Sequence, residues 1–283
     1  MWVTKLLKTI QSLFKLVFLT RHNLSFAVAE KTDAVILGNG PSLKLMLEKH
    51  HDFLVDKELF AVNYFALSNA YFELQPRHYV MIDFKFYNDN ANDIDTLEKR
   101  PVLWENIAAT RWPIQLYLPF DAQKHTQWKK HIEKNSNIKI RYINVTAIEG
   151  FAGFRNWCFS KMLGMPRPHN VVIPSLMIAM RLQFINIYLW GVDHSWLSQI
   201  HVDDNNVAMV NNQHFYDSGN TKPGKYILKN NPAAPLHTIL YSMMTAFESY
   251  FIIKSYSQKR GVRIINQTRG SMIDAFEREY LSE

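Results

Sequence analysis

The chain has 283 residues, 47% of them hydrophobic, with 18 Phe, 13 Tyr and 7 Trp; this excludes a disordered chain and leaves room for one large α/β domain or two small ones. A formal net charge of +7 calls for an anionic partner, but no arginine-rich tract, zinc finger or RNP-like motif supports sequence-specific nucleic-acid binding. The single cysteine, Cys158, excludes an intramolecular disulfide and a cysteine zinc cluster, and it fits a reducing cytoplasm.

Residues 2–19 predict an amphipathic helix. Val3, Leu6, Leu7, Ile10, Leu13, Phe14, Val17 and Phe18 recur at helical spacing, while Lys5, Lys8, Gln11, Ser12 and Lys15 fill other positions. Two readings are open: the helix lies at the headgroup level of the inner membrane, with Trp2 at the boundary, or it packs on its own domain. It is too short and too charged to span a bilayer. Ala27-Val28-Ala29 mimics a signal-peptide cleavage site, but Lys15, Arg21 and His22 interrupt the apolar run that such a leader needs. The expected organisation is a membrane-surface helix within 1–24 and a Rossmann-like domain over 25–283, peripheral on the cytoplasmic face of the cell membrane.

Ala34-Val35-Ile36-Leu37 reads as a short buried strand that stops in Gly38-Asn39-Gly40-Pro41-Ser42. The glycines allow close approach of the backbone, and Pro41 and Ser42 suit the first turn of a helix. A strand, a glycine turn and a helix N-terminus together make a seat for phosphate. The pattern is neither GxGxxG nor a Walker loop. A helix is expected over 43–58, then strands at 60–63, 78–83, 114–118 and 138–143. A helix over 175–182 feeds a strand at 186–191; a long helix at 237–258, a strand at 262–265 and a helix from Ser271 complete the pattern. Strands alternating with helices predict an α/β doubly wound, mostly parallel sheet. Its ligands lie outside the carboxyl ends of the strands, so Gly38 to Gly40, Asn63, Asp83, Gly191 to Asp193 and Asn266 are expected to converge on one crevice. About forty polar residues, 194–231, lack periodicity and read as a lid.

Taken in order, GNGPSL at 38–43, VNYF at 62–65, IPSLMIAMRLQFINIYLWGVD at 173–193, Ala246-Phe247-Glu248 and RIINQTRGS at 263–271 resemble the bacterial sialyltransferases of glycosyltransferase family 42 and their relatives in capsule and lipooligosaccharide assembly. The N-terminal helix and residues 90–170 lie outside the resemblance. It implies a metal-independent, inverting transfer of sialic acid or a related keto-sugar such as Kdo. The donor would be a CMP-sugar and the acceptor a hydroxyl of a glycolipid or polysaccharide, with no resident cofactor and a homo-oligomer possible.

Carried over by position, the resemblance sets Gly38, Asn39, Gly40, Pro41 and Ser42 against the donor phosphate and Asn63 near phosphate and ribose. Ser175 would lie near the donor sugar or nucleotide, with Gly191 and Asp193 on the cytidine side. Asp83 stands where the family tends to have asparagine, an electrostatically awkward neighbour for phosphate. Of the family's two lid tyrosines, which bond the departing phosphate, the first position holds Ser195 and the second aligns near Gln213-His214-Phe215-Tyr216. His194, His214 and Tyr216 are candidates to replace them, a protonated histidine being a strong donor if the site keeps it charged. His237, before the long helix, is the expected general base, with helix capping as its alternative role.

Two other classes remain. A metal-dependent glycosyltransferase would need acidic residues such as Asp93 and Asp95, or Asp203 and Asp204 with His201. A non-catalytic nucleotide- or glycan-binding assembly protein would use the same domain without turnover. A phosphotransferase lacks its Walker lysine.

Overall fold

Asp33–Leu37 forms β1, and its side chains alternate between two cores: Ala34 and Ile36 face one layer, Val35 and Leu37 the other. All four are fully buried, as a strand covered on both faces must be. The structure, a computed structural model, describes residues 2–22, 24–90, 94–211, 214–216, 224–225 and 234–282.

Further strands are β2 (Glu58–Val62), β3 (His78–Val80), β4 (Ile114–Pro119), β5 (Ile138–Ile143), β6 (Asn186–Trp190), β7 (Ile200–Val202), β8 (Ala208–Val210), β9 (Gly224–Lys225), β10 (Arg263–Asn266) and β11 (Glu277–Arg278). Helices are α1 (Trp2–Leu19), α2 (Ser42–His50), α3 (Ala70–Leu74), α4 (Ile94–Ala108), α5 (Gln127–Ile132), α6 (Ala152–Ser160), α7 (Val172–Arg181) and α8 (Leu236–Lys259). Eight strands build one sheet in the order β11-β10-β6-β1-β2-β3-β4-β5, every neighbouring pair parallel. The predicted Rossmann-like α/β class is therefore the fold. Leu16 of α1, Phe159 of α6, Leu176 of α7 and Tyr250 of α8 share one core, while Leu43 of α2, Tyr71 of α3, Trp104 of α4 and Trp128 of α5 share the other.

The chain order reverses between β1, which pairs with β2, and β6, which pairs with β1 on its other edge. A crevice opens at such a reversal, outside the carboxyl ends of the strands.

Three expectations fail for identifiable reasons. The helix expected over 43–58 ends at His50 and gives way to a tight turn over His51–Leu54. Glu58 begins β2 because its buried carboxylate accepts the N–H groups of Glu30 and Lys31 and meets His78 Nε2 at 2.6 Å. No helix begins at Ser271. Its hydroxyl donates to the Val192 carbonyl at 2.7 Å, and Met272 N–H bonds the Asp193 carbonyl at 2.9 Å, so this backbone is committed to the end of β6. The expected lid contains a 3-10 turn at Ser195–Gln199 and an antiparallel β7-β8-β9 sheet. Of the expected lid, 212–213, 217–223 and 226–231 lie outside the described residues, as does Asp93.

Candidate functional site

The glycine turn after β1 packs on the turn after β6. Gly38 N–H donates to the Trp190 carbonyl at 2.7 Å and Gly40 N–H to the Gly191 carbonyl at 2.8 Å. A Cβ on Gly38 would lie 2.3 Å from the Gly191 carbonyl oxygen, and one on Gly40 would lie 1.9 Å from Asp193 Oδ2. Both glycines are thus required by strand-to-strand packing rather than by a ligand.

Asp193 then occupies the N-terminus of α2. Its Oδ2 accepts the Ser42 hydroxyl at 2.8 Å and its Oδ1 the Ser42 N–H at 3.3 Å. Burial raises the Asp193 pKa, and the two bonds from Ser42 oppose that rise. The seat expected for phosphate is filled by the protein's own carboxylate. Ser42 is taken up by this contact and Pro41 is exposed, and neither lines the cavity.

Gly38, Asn39, Gly40, Asn63, Asp83, Gly191, Asp193 and His194 do come together, around a cavity of about 640 Å³ at the carboxyl ends of the strands. Asn39 Nδ2 donates to the Val62 carbonyl at 3.1 Å, which turns its Oδ1 elsewhere, buried and without a partner. Asn63 ends β2 in the left-handed conformation, φ +49°, which asparagine tolerates better than most residues. The Tyr79 hydroxyl holds its carbonyl at 2.6 Å, and its Oδ1 is also buried and unpaired. Asp83 accepts the Lys85 N–H at 3.2 Å, and Asp121 joins the same wall. This side of the cavity is rich in acceptors.

The opposite wall was not foreseen. Pro168, His169 and Asn170 lead into α7, two residues before its start. Asn170 Oδ1 accepts the N–H groups of Val172 (3.0 Å) and Ile173 (3.3 Å), and its Nδ2 is buried and unpaired. The Tyr250 hydroxyl donates to the same Oδ1 at 3.0 Å and meets His194 Nε2 at 2.7 Å. An oxygen that already receives two N–H groups only accepts, so the tyrosine proton goes to Asn170 and His194 Nε2–H donates to tyrosine. His194 is therefore the Nε2-protonated neutral tautomer, and burial pulls its pKa down to about 4. This corrects the expectation of a protonated His194 as a phosphate donor.

His169 Nδ1 bonds Ser242 Oγ of α8 at 2.8 Å. Desolvation and the nearby Arg167 guanidinium lower its pKa, keeping it neutral near pH 7. His237 is exposed in the first turn of α8 and does not line the cavity, which corrects its placement as the base at this site. The prolines of Pro166-Arg167-Pro168-His169-Asn170 mark a stiff connection before a helix; this was the available signal, hidden by starting that helix at Ser175.

Ser175 is wholly buried inside α7, where its hydroxyl donates to the Val171 carbonyl at 2.8 Å, so it does not reach the donor as expected. Asn266, also wholly buried, donates to Ser271 Oγ at 3.0 Å instead of lining the crevice. His214 lines the cavity and stacks on Tyr216 with the rings 4° from parallel; Tyr216 backs it rather than lining the same space. Asp203 accepts the N–H groups of Asn205 and Val207, shaping the turn between β7 and β8. Among the described residues no cluster of three or more His, Cys, Asp or Glu is arranged to hold a metal ion.

No protein-family model matches this chain, and no curated protein matches it. Among solved structures it is similar to the MAf glycosyltransferase from Magnetospirillum magneticum AMB-1, with a TM-score of 0.51 and 13% identity. The match covers 96% of this chain and 37% of that one, so the chain spans little more than a third of its structural neighbour's length. At this identity the likeness is one of fold.

Proposed function

We propose that this chain is an inverting glycosyltransferase that moves a keto-sugar, of the sialic acid or Kdo type, from a CMP-sugar to a hydroxyl of a glycolipid or polysaccharide. The observation that carries this reading is the two-sided cavity at the chain reversal. One wall holds buried, unpaired acceptors at the ends of β1 and β2; the other holds a neutral histidine bonded to Ser242. The likeness in fold to a glycosyltransferase and the family resemblance of GNGPSL and the other segments support it.

In this reading Asn39 Oδ1, Asn63 Oδ1 and Asp83 accept hydrogens from the hydroxyl and amino groups of the nucleoside and sugar. Asn170 Nδ2 and the positive end of α7 receive the anionic group, since the α2 terminus is already neutralised by Asp193. His169 takes the proton of the acceptor hydroxyl as that oxygen attacks the anomeric carbon, the bond from that carbon to the phosphate oxygen breaks on the opposite face, and CMP leaves with inversion. His214 stands as the donor to the leaving phosphate, and His194 holds the Tyr250–Asn170 chain in register.

A thermal-shift titration against CMP, CDP, UDP, GDP and dTDP, with and without EDTA, tests the donor. Selective stabilisation by CMP that EDTA leaves unchanged is the expected result. Stabilisation by another nucleotide overturns the CMP assignment, and no response to any of them favours the non-catalytic alternative.

A further inference from the structure

Helix α1 meets its domain largely through hydroxyl side chains and exposes its apolar face. The side chain of Ser12 is fully buried: its Oγ accepts the Glu149 N–H at 2.9 Å and donates to the Glu149 carbonyl at 3.2 Å. Thr9 Oγ accepts the Phe151 N–H at 3.0 Å, and just past the helix the Thr20 hydroxyl donates to the Leu163 carbonyl at 2.9 Å. Gly150 makes this approach possible, because a Cβ there would lie 2.0 Å from Thr9 Oγ and 2.7 Å from its backbone nitrogen. Leu16 is the one apolar side chain of the helix that is buried.

On the other face Val3, Leu7, Ile10, Phe14 and Val17 follow one another at three- and four-residue steps and all point outward, with Phe14 63% and Val17 75% exposed. A helix held to its domain by serine and threonine, with its phenylalanines in water, is built for a second apolar surface. Its charge selects that surface. Trp2–Leu19 contains three lysines and no carboxylate. Lys8 is paired with Glu149 of the domain; a second copy of the helix would bring Lys5 and Lys15 toward further lysines with no acid in the helix to answer them, whereas an anionic headgroup layer answers both.

We propose that α1 docks this protein on an anionic lipid bilayer, its Val3–Val17 stripe at the acyl boundary and Lys5 and Lys15 among the headgroups. The helix is also tied to the cavity wall. Lys8 Nζ pairs with Glu149 at 2.9 Å, Glu149 pairs with Arg167 at 2.5 Å, and Arg167 immediately precedes Pro168 and His169. Docking therefore sets the bilayer beside the wall that carries His169, the side from which a lipid-linked acceptor would enter. This last consequence rests on the glycosyltransferase reading; the docking itself does not.

The test is flotation of the full chain with vesicles of phosphatidylcholine alone or mixed with phosphatidylglycerol. Recovery about tenfold higher with the anionic vesicles is expected, and it falls to background in a Leu7→Asn/Phe14→Ser/Val17→Asn variant. These side chains are exposed, so the variant should keep the wild-type melting temperature and CMP response, which separates failure of docking from failure of the active-site reading. Equal recovery on both vesicle types, or undiminished flotation of the variant, overturns the proposal. Absence of flotation together with a light-scattering dimer that the variant dissociates overturns it in favour of a second copy.

Discussion

Asp193 and Ser42, 151 positions apart, are joined twice: the serine hydroxyl lies 2.8 Å from Oδ2 and the serine N–H 3.3 Å from Oδ1. The pair fastens the end of β6 to the first turn of α2 across the point where the sheet reverses. Because the carboxylate sits where an anion is favoured by the helix dipole, it stabilises the fold and excludes a phosphate from the same spot. Asp193→Ala should cost about 2 kcal/mol, and Asp193→Asn about half of that, since one acceptor remains. Gly40→Ala should cost about 3 kcal/mol, because its Cβ would strike both the Asp193 carboxylate and the Gly191 carbonyl. Urea denaturation of the three variants checks the order.

His169→Ala should lower kcat roughly a hundred- to ten-thousand-fold while leaving CMP binding intact, as loss of a general base does. His237→Ala should leave kcat/KM close to wild type, its side chain being exposed and away from the cavity. Because His169 works deprotonated and its pKa is lowered from 6.5, the acid limb of the kcat/KM profile should lie below that value. Ser242→Ala should move this limb, which a purely structural serine would not do. A full-activity His169 variant would remove the base assignment.

Acid should weaken the fold through His194. Its pKa is about 4 when folded and 6.5 when free, so between these values the unfolded chain binds the extra proton. Stability from this residue is complete above pH 6.5 and is lost as pH falls toward 4, by about 3 kcal/mol over the window. Asp193, whose pKa is raised by burial, acts with the opposite sign at acid pH. The clean measurement is the difference between wild type and His194→Gln in denaturant titrations from pH 7 to 4; equal slopes for the two would show that His194 is not the group responsible.

Ser175→Ala should change stability by less than about 1 kcal/mol, because the hydroxyl only returns a bond to the carbonyl one turn back in its own helix. Its thermal shift with CMP should match wild type. A lost response would return Ser175 to the donor site.

The strands were legible because their apolar runs are short, branched and bounded by turn residues; β5 matches its expected limits at both ends, and β1, β4, β6 and β10 lie within one residue of theirs. The sheet class and the crevice followed from that alternation, which is why Gly38, Asn39, Asn63, Asp83 and Gly191 line one cavity. What escaped depends on distant partners. Glu58 looks like the tail of a helix until its bonds with His78 and the 30–31 backbone are known. Ser42 looks like a phosphate ligand until Asp193 is seen against it. His169 carries no local signature of a site residue, and it stands out only once α8 brings Ser242 to its ring at the cavity. The periodicity of α1 was readable, but which face it turns inward was not, since that is decided by Glu149, Gly150 and Phe151.

The N–H groups of Gly38 and Gly40 go to the carbonyls of Trp190 and Gly191 and the Ser42 N–H goes to Asp193, so the turn after β1 commits this main chain to the fold. What this edge of the sheet offers to the cavity is therefore side chains, those of Asn39, Asn63 and Asp83. Asn39 also bonds the Val62 carbonyl, Asp83 accepts the Lys85 N–H and Asn63 holds a left-handed backbone, so a substitution at any of the three would change the lining of the cavity and the loop that carries it together.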